Sequence, residues 1–165
     1  MKKLTFAILA LFFGMCAYAQ EASTTHSIGF KLNVGSTYGG ELSYRWHQSV
    51  SHTEIGFGIG LPDLNDESYM ATEMVLSQLW HINANHSFQW IVGPSLQYRL
   101  DLDDNGYTGH NFGLGATTGP EYRFNNGLAL GLFATGKYMI LGSASGRGFL
   151  WNAGLTLSYR LLVMR

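Results

Sequence analysis

The chain is poor in what soluble and redox proteins rely on. Cysteine occurs once, at Cys16, within the first nineteen residues. Past them there is no thiol, disulfide or cysteine metal site. Charged residues make up 13% of the chain, about half the ~25% of a soluble domain. Basic residues are not in excess: beyond residue 19 there are 8 Lys and Arg against 11 Asp and Glu, a net charge of −3 with His neutral. Nucleic-acid binders carry a basic face, so that class is excluded as a partner. After the amino-terminal run no stretch approaches the ~18 consecutive apolar residues of a membrane-spanning helix. Only helices and closed barrels satisfy their backbone in lipid, so membrane residence would require a barrel.

Lys2 and Lys3, the run Leu4 to Phe13 and Ala17-Tyr18-Ala19 have the charge, length and A-x-A ending of a secretory signal. Residues 1–19 are therefore expected to be a signal peptide, leaving 20–165 as one β-barrel domain of 146 residues. A retained anchor or a lipoprotein signal using Cys16 are the alternatives, although Met15 stands where a lipoprotein needs a small residue.

What is abundant is glycine, with 21 residues, and aromatic side chains, at 14%. From residue 27 onward apolar and polar residues alternate with period two, the mark of a strand with two different faces. Strand 1 sets Ile28, Phe30, Leu32 and Val34 against Lys31 and Asn33. Strand 2 sets Leu42, Tyr44 and Trp46 against Glu41, Ser43 and Arg45; strand 3 sets Ile55, Phe57, Ile59 and Leu61 against Glu54 and three glycines. Strand 4, near 70–81, places Met70, Met74, Leu76 and Trp80 opposite Ala71, Glu73 and Ser77, but Val75 and Leu79 break the alternation and suggest a bulge. Strands 5 to 8 alternate around Trp90, Leu114, Leu130 and Leu155. Pro94 and Pro120 fall inside strands 5 and 6, and each removes a ladder donor, so bulges or interrupted pairing are expected there.

Alternation does not say which face is inside. Connection lengths and the sorting of aromatics favour an apolar exterior. The links Pro62–Tyr69, Asp101–His110 and Gly142–Gly148 read as long, and those at 48–52, 83–86 and 125–127 as short; Ser36–Gly39 is short where a long one is expected. Transmembrane barrels have long external loops and short periplasmic turns. Trp46, Trp80, Trp90, Tyr122, Phe124 and Tyr159 collect at one end of the apolar face, and Tyr98, Tyr138 and Trp151 at the other. Amphipathic rings favour membrane interfaces, so these form two expected girdles. The polar face then becomes the lumen, with Lys31, Arg45, Arg99, Arg123, Lys137 and Arg160 among Glu41, Glu54, Glu73 and Glu121. Charges so confined must pair, and eight strands leave an interior that side chains can fill.

Asn152, Gly154, Leu157 and Tyr159 follow a polar-x-Gly-x-x-apolar-x-aromatic spacing near the carboxyl end. This is similar to the signal by which the barrel assembly machinery recognises a last strand, with Leu161 where a terminal aromatic is common. With the signal and the eight strands, the chain resembles the small bacterial outer-membrane β-barrels, OmpX-like or like the OmpA membrane domain. The resemblance implies an all-β fold, an eight-stranded antiparallel up-and-down transmembrane barrel. It also implies a monomer in the outer membrane of a Gram-negative bacterium, with both termini periplasmic. Its partners would be outer-membrane lipid, lipopolysaccharide and the assembly machinery. It implies a structural or surface-interaction role, no cofactor, and no room for a periplasmic peptidoglycan-binding domain.

Other readings remain open. Asp101, Asp103, Asn105 and Gly106 match the opening of a calcium loop, D-x-D-x-N-G, but Phe112 replaces the Glu at position twelve. Lipid A deacylases of this architecture use a His-x-Ser pair with an acidic partner, and His47-Gln48-Ser49 with Glu54 offers those letters. A palmitoyltransferase-like set could be drawn from His110, Asp103 or Asp104, and Ser143. A small channel would leave the lumen open, and a soluble lipocalin-like barrel would turn the apolar face inward.

Overall fold

The computed structural model describes residues 25–61, 70–83, 86–103, 106–142 and 148–161. Residues 1–24, with the expected signal peptide, lie outside the described residues, as do 62–69, 84–85, 104–105, 143–147 and 162–165. Eight strands follow in chain order: β1 Thr25–Gly35, β2 Tyr38–His47, β3 Ser51–Leu61, β4 Met70–Ile82, β5 Phe88–Asp103, β6 Gly106–Arg123, β7 Leu128–Gly142 and β8 Gly148–Leu161. Each pairs antiparallel with the next, and β8 closes on β1, from Gly35 against Asn152 to His26 against Leu161. Every strand thus has two neighbours, so the wall presents no open edge.

The faces are sorted opposite to those of a soluble protein. Ile28, Leu42, Phe57, Leu130, Trp151 and Leu155 stand outward and exposed. The buried side chains are mostly polar or charged, and the buried apolar ones are Ala71, Val75, Leu79, Ile91, Ala129, Phe133 and Met139. An internal apolar face of lipocalin type is therefore not present among the described residues.

Some local expectations need correction. Strand β4 carries no bulge: Val75 and Leu79 point inward as apolar lumen residues, and its register with β3 runs unbroken. The period fails there because the lumen accepts a few apolar side chains. The irregularities fall elsewhere, between Asp101 and Leu102 and between Phe112 and Gly113. The connection expected at Asp101–His110 is largely strand, since β5 continues to Asp103 and β6 resumes at Gly106. Its turn-forming residues misled by composition, while the backbone keeps pairing past the bulge. The link after β1 shrinks to Ser36 and Thr37.

Pro94 and Pro120 interrupt pairing without shifting it. The β4–β5 ladder passes from Ser77 opposite Ser95 to Trp80 opposite Val92, and the β6–β7 ladder from Thr118 opposite Ala134 to Glu121 opposite Gly131. In both places glycine precedes the proline, and a Cβ on Gly93 or Gly119 would collide with the carbonyl of Gln78 or Leu132. Glycine permits that close approach.

One end of the barrel gathers the ends of β2, β4 and β6 and the starts of β3, β5 and β7 with the start of β1 and the end of β8. We call it the turn end. Asn126-Gly127 makes a tight reversal there: the Gly127 N–H donates to the Phe124 carbonyl at 3.2 Å, and Gly127 takes φ +89°.

Candidate functional site

Strand register brings the lumen charges together. Lys31 lies directly opposite Glu41 across β1–β2, Arg45 opposite Glu54 across β2–β3, and Glu73 opposite Arg99 across β4–β5. A slip of one residue would turn these charges outward. Lys31 Nζ donates to Glu41 Oε1 at 2.9 Å and also to Glu54. Arg45 Nε donates to the other Glu54 oxygen, while Arg45 Nη1 reaches across the barrel to Glu121 Oε2 at 2.6 Å. Its remaining donors meet Ser158 Oγ at 3.3 Å and Thr156 Oγ1 at 3.1 Å. Arg123 Nε caps the chain on Glu121 Oε1 at 2.9 Å. Arg45, Glu54 and Glu121 are each only 1% exposed, so the pairs are removed from solvent.

A second network lies toward the opposite end. Arg99 Nε donates to Asp101 Oδ1 at 2.6 Å, and Asn111 Nδ2 donates to Asp101 Oδ2 at 2.7 Å. Glu73 stands 3.7 Å from both Arg99 and Lys137 and accepts the Thr37 hydroxyl at 3.1 Å. Lys31 lies 5.5 Å from the centre of the inward Phe133 ring, a cation–π distance. The inward glycines give room: a Cβ on Gly56 would strike the Glu41 carboxylate.

All ten sequence-expected lumen charges therefore sit on the inner face, but Arg160 differs. It is half-buried, lines the mouth at the turn end, and its side chain enters no ion pair among the described residues. Asp101 joins as an eleventh charge. Its carboxylate, the first letter of the calcium-loop alternative, is held by Arg99 and Asn111 inside the barrel. Nothing is described of the Asp103 side chain, and Asn105 lies outside the described residues. The enzyme letters also disperse. His47 pairs through Nε2 with Ser27 Oγ at 2.7 Å, Ser49 sits exposed in a turn, and Glu54 is engaged by Lys31 and Arg45. Asp104 and Ser143 lie outside the described residues, and His110 meets Tyr98 on the outer face.

Trp46, Trp90, Tyr98, Tyr122, Phe124, Tyr138, Trp151 and Tyr159 all stand exposed on the outer face, with Trp80 half-buried. Two of them have polar partners along the wall: Trp90 Nε1 donates to Thr118 Oγ1 at 2.7 Å, and the Tyr98 hydroxyl lies 3.4 Å from His110 Nδ1. Of the carboxyl-terminal pattern, Asn152 faces inward and accepts the Thr37 N–H at 3.2 Å, Gly154 packs against the Leu32 carbonyl, and Leu157 and Tyr159 face outward.

A third group went unread in the sequence. His47 ends β2, His52 lies opposite it on β3, and His81 approaches from β4. His52 Nδ1 and His81 Nε2 are 2.9 Å apart, and all three rings turn into the lumen at the turn end. Carrying the period-two pattern of β2 and β3 into their connection would have found the first two.

Known structures match this geometry. Neisserial surface protein A aligns with a TM-score of 0.60 and 12% identity, over 84% of this chain and 94% of that one. The N-terminal β-barrel domain of Pseudomonas aeruginosa OprF aligns at 0.62 and 15% identity, over 85% and 98%. A major outer membrane protein from Thermus thermophilus aligns at 0.61 and 12% identity, over 84% and 100%. The chain has the fold of the small eight-stranded outer-membrane β-barrels. No known family profile matches it, and no curated protein matches it in sequence. The small-barrel fold thus reaches this chain through structure rather than through shared residues.

Proposed function

We propose that the protein is an integral outer-membrane β-barrel with a side-chain-filled polar lumen, acting as a structural or surface-interaction element rather than as an enzyme. The observation that carries this reading is the apolar outer face on a closed wall. Soluble proteins do not expose a continuous apolar belt of this extent, whereas a barrel in lipid needs one. The two aromatic groups suit the two interfaces, with the turn end and both termini on the periplasmic side. Asn152, Gly154, Leu157 and Tyr159 would guide assembly. The cross-barrel ties from Arg45 to Glu121 and from Lys137 to Glu73 support a plugged interior over a pore. Lipid, lipopolysaccharide and the assembly machinery are its proposed partners, and the monomer its proposed state.

The test is a heat-modifiability gel on detergent-extracted membranes. A folded band in the outer-membrane fraction that migrates differently after boiling is expected; a freely soluble protein overturns the reading. Planar-bilayer recordings should show no reproducible unitary conductance. Lipid A should keep the same acyl pattern with and without the protein by mass spectrometry.

A further inference from the structure

We propose that His47, His52 and His81 form a site for one divalent transition-metal ion of the zinc class at the turn end of the lumen. One nitrogen from each ring lies within 4.8 Å of the others. Three nitrogens around one tetrahedral zinc stand about 3.4 Å apart, given Zn–N bonds of ~2.1 Å, so ring rotations of about 1 Å close the site.

Two of these rings carry nitrogens that nothing among the described residues satisfies. His52 is fully buried and its Nε2 has no hydrogen-bond partner; His47 is 7% exposed and its Nδ1 has none. Buried polar atoms are ordinarily paired; Ser43, Ser95 and Gln97 also keep unpartnered atoms, but among the described residues only these three histidines gather donors within reach of one ion. For His47 the arrangement also selects the atom. Ser27 Oγ meets Nε2, and if it accepts that N–H the lone pair stands on Nδ1, the second-shell pattern of metal-bound histidines.

Donor type narrows the ion. Calcium and magnesium take oxygen ligands, and this cluster offers only imidazoles, which suit zinc, copper and nickel. Access exists too. A cavity of about 650 Å³ opens at the turn end and is lined by Ser27, His47, Gln89, Arg123 and Arg160. Of the three proposed ligands His47 meets it, and water from the cavity can fill the fourth tetrahedral position.

Arg123 opposes the ion. Its Nη2 lies 3.1 Å from His81 Nδ1 and 3.4 Å from Nε2, and a guanidinium there repels a dication. Yet Arg123 is already bound through Nε to Glu121. Swinging Nη2 away from His81 keeps that pair and removes the guanidinium from the ring, which still has Gln89 and His52 as neighbours. Loading would then join β2, β3 and β4 at their turn ends.

The experiment uses untagged barrel, folded in detergent and stripped with a chelator, titrated with Zn²⁺ by calorimetry and with Co²⁺ by visible absorption. One ion per chain and intense tetrahedral Co²⁺ bands are expected. His52→Gln and His81→Gln should each lose at least about 100-fold in affinity, the upper range for removing a mere supporting residue. Replacing His26, His86 and His110 together with Gln should leave binding intact. Arg123→Gln should tighten binding severalfold, a gain that misfolding cannot imitate. If the lumen variants fail to fold, the Co²⁺ spectrum and Arg123→Gln decide. Absent or weak octahedral bands, unchanged or weaker affinity in Arg123→Gln, or loss of binding in the His26/His86/His110 variant overturns the proposal.

Discussion

The middle of the lumen and its turn end are built on opposite plans. In the middle, acids and bases face each other on neighbouring strands and then reach across the barrel, so that Arg45 alone meets Glu54, Glu121, Thr156 and Ser158. At the turn end three histidines cluster with two nitrogens unsatisfied, beside a cavity. In the first arrangement the charged groups satisfy one another, although Ser43, Ser95 and Gln97 beside them keep unpartnered polar atoms. The second is open in the chemical sense. The difference teaches that neither burial nor a single unpartnered atom marks a binding site; unpartnered donors gathered within one ion's reach do.

Breaking the middle should have the largest effect. Glu121→Ala strands Arg123 and leaves Glu54 as the sole carboxylate on Arg45, and loss of one member of a buried pair costs about 3–5 kcal/mol. Urea unfolding in lipid vesicles should show that loss, and a cost near zero would mean that water reaches the pair. Turning a charge outward comes next. Leu132, exposed on the outer wall, faces Leu155 on β8; Leu132→Arg should cost about 2–4 kcal/mol in a bilayer. A much smaller cost in vesicles would argue against lipid contact. Gly56→Ala pushes a methyl group against the Glu41 carboxylate and should cost about 1–3 kcal/mol by the same unfolding measurement, as overpacked interiors do. The smallest effect belongs to the turn end: without metal, His52→Gln removes one hydrogen bond, worth about 0.5–1.5 kcal/mol. A loss as large as that of Glu121→Ala would erase the contrast between the two regions.

Much of the wall was legible in the sequence because one face of each strand is almost uniformly apolar. Ile28 to Val34 or Leu155 to Tyr159 can be read by parity alone. The inner face was less legible. Val75, Leu79 and Phe133 are apolar yet point inward, where parity misleads unless neighbouring strands are known. Adjacent pairs such as Lys31 with Glu41 follow from register. Contacts such as Arg45 with Glu121 follow only from closure, which carries β6 across from β2. Asp101 looked like loop chemistry because Asp-Asn-Gly follows it, and only the continued pairing of β5 and β6 turns it into a lumen residue. The histidines escaped notice because they flank turns, where alternation is no longer counted.

The two Gly-Pro steps carry a consequence of their own. A cylinder of strands has no free margin from which to fray, so its backbone must breathe through missing rungs. Gly93-Pro94 against Gln78 and Leu79, and Gly119-Pro120 against Leu132 and Phe133, are two such gaps, and both flank β5–β6. Deuterium should enter the barrel amides first at these two seams, leaving the β1–β8 closure among the slowest to exchange.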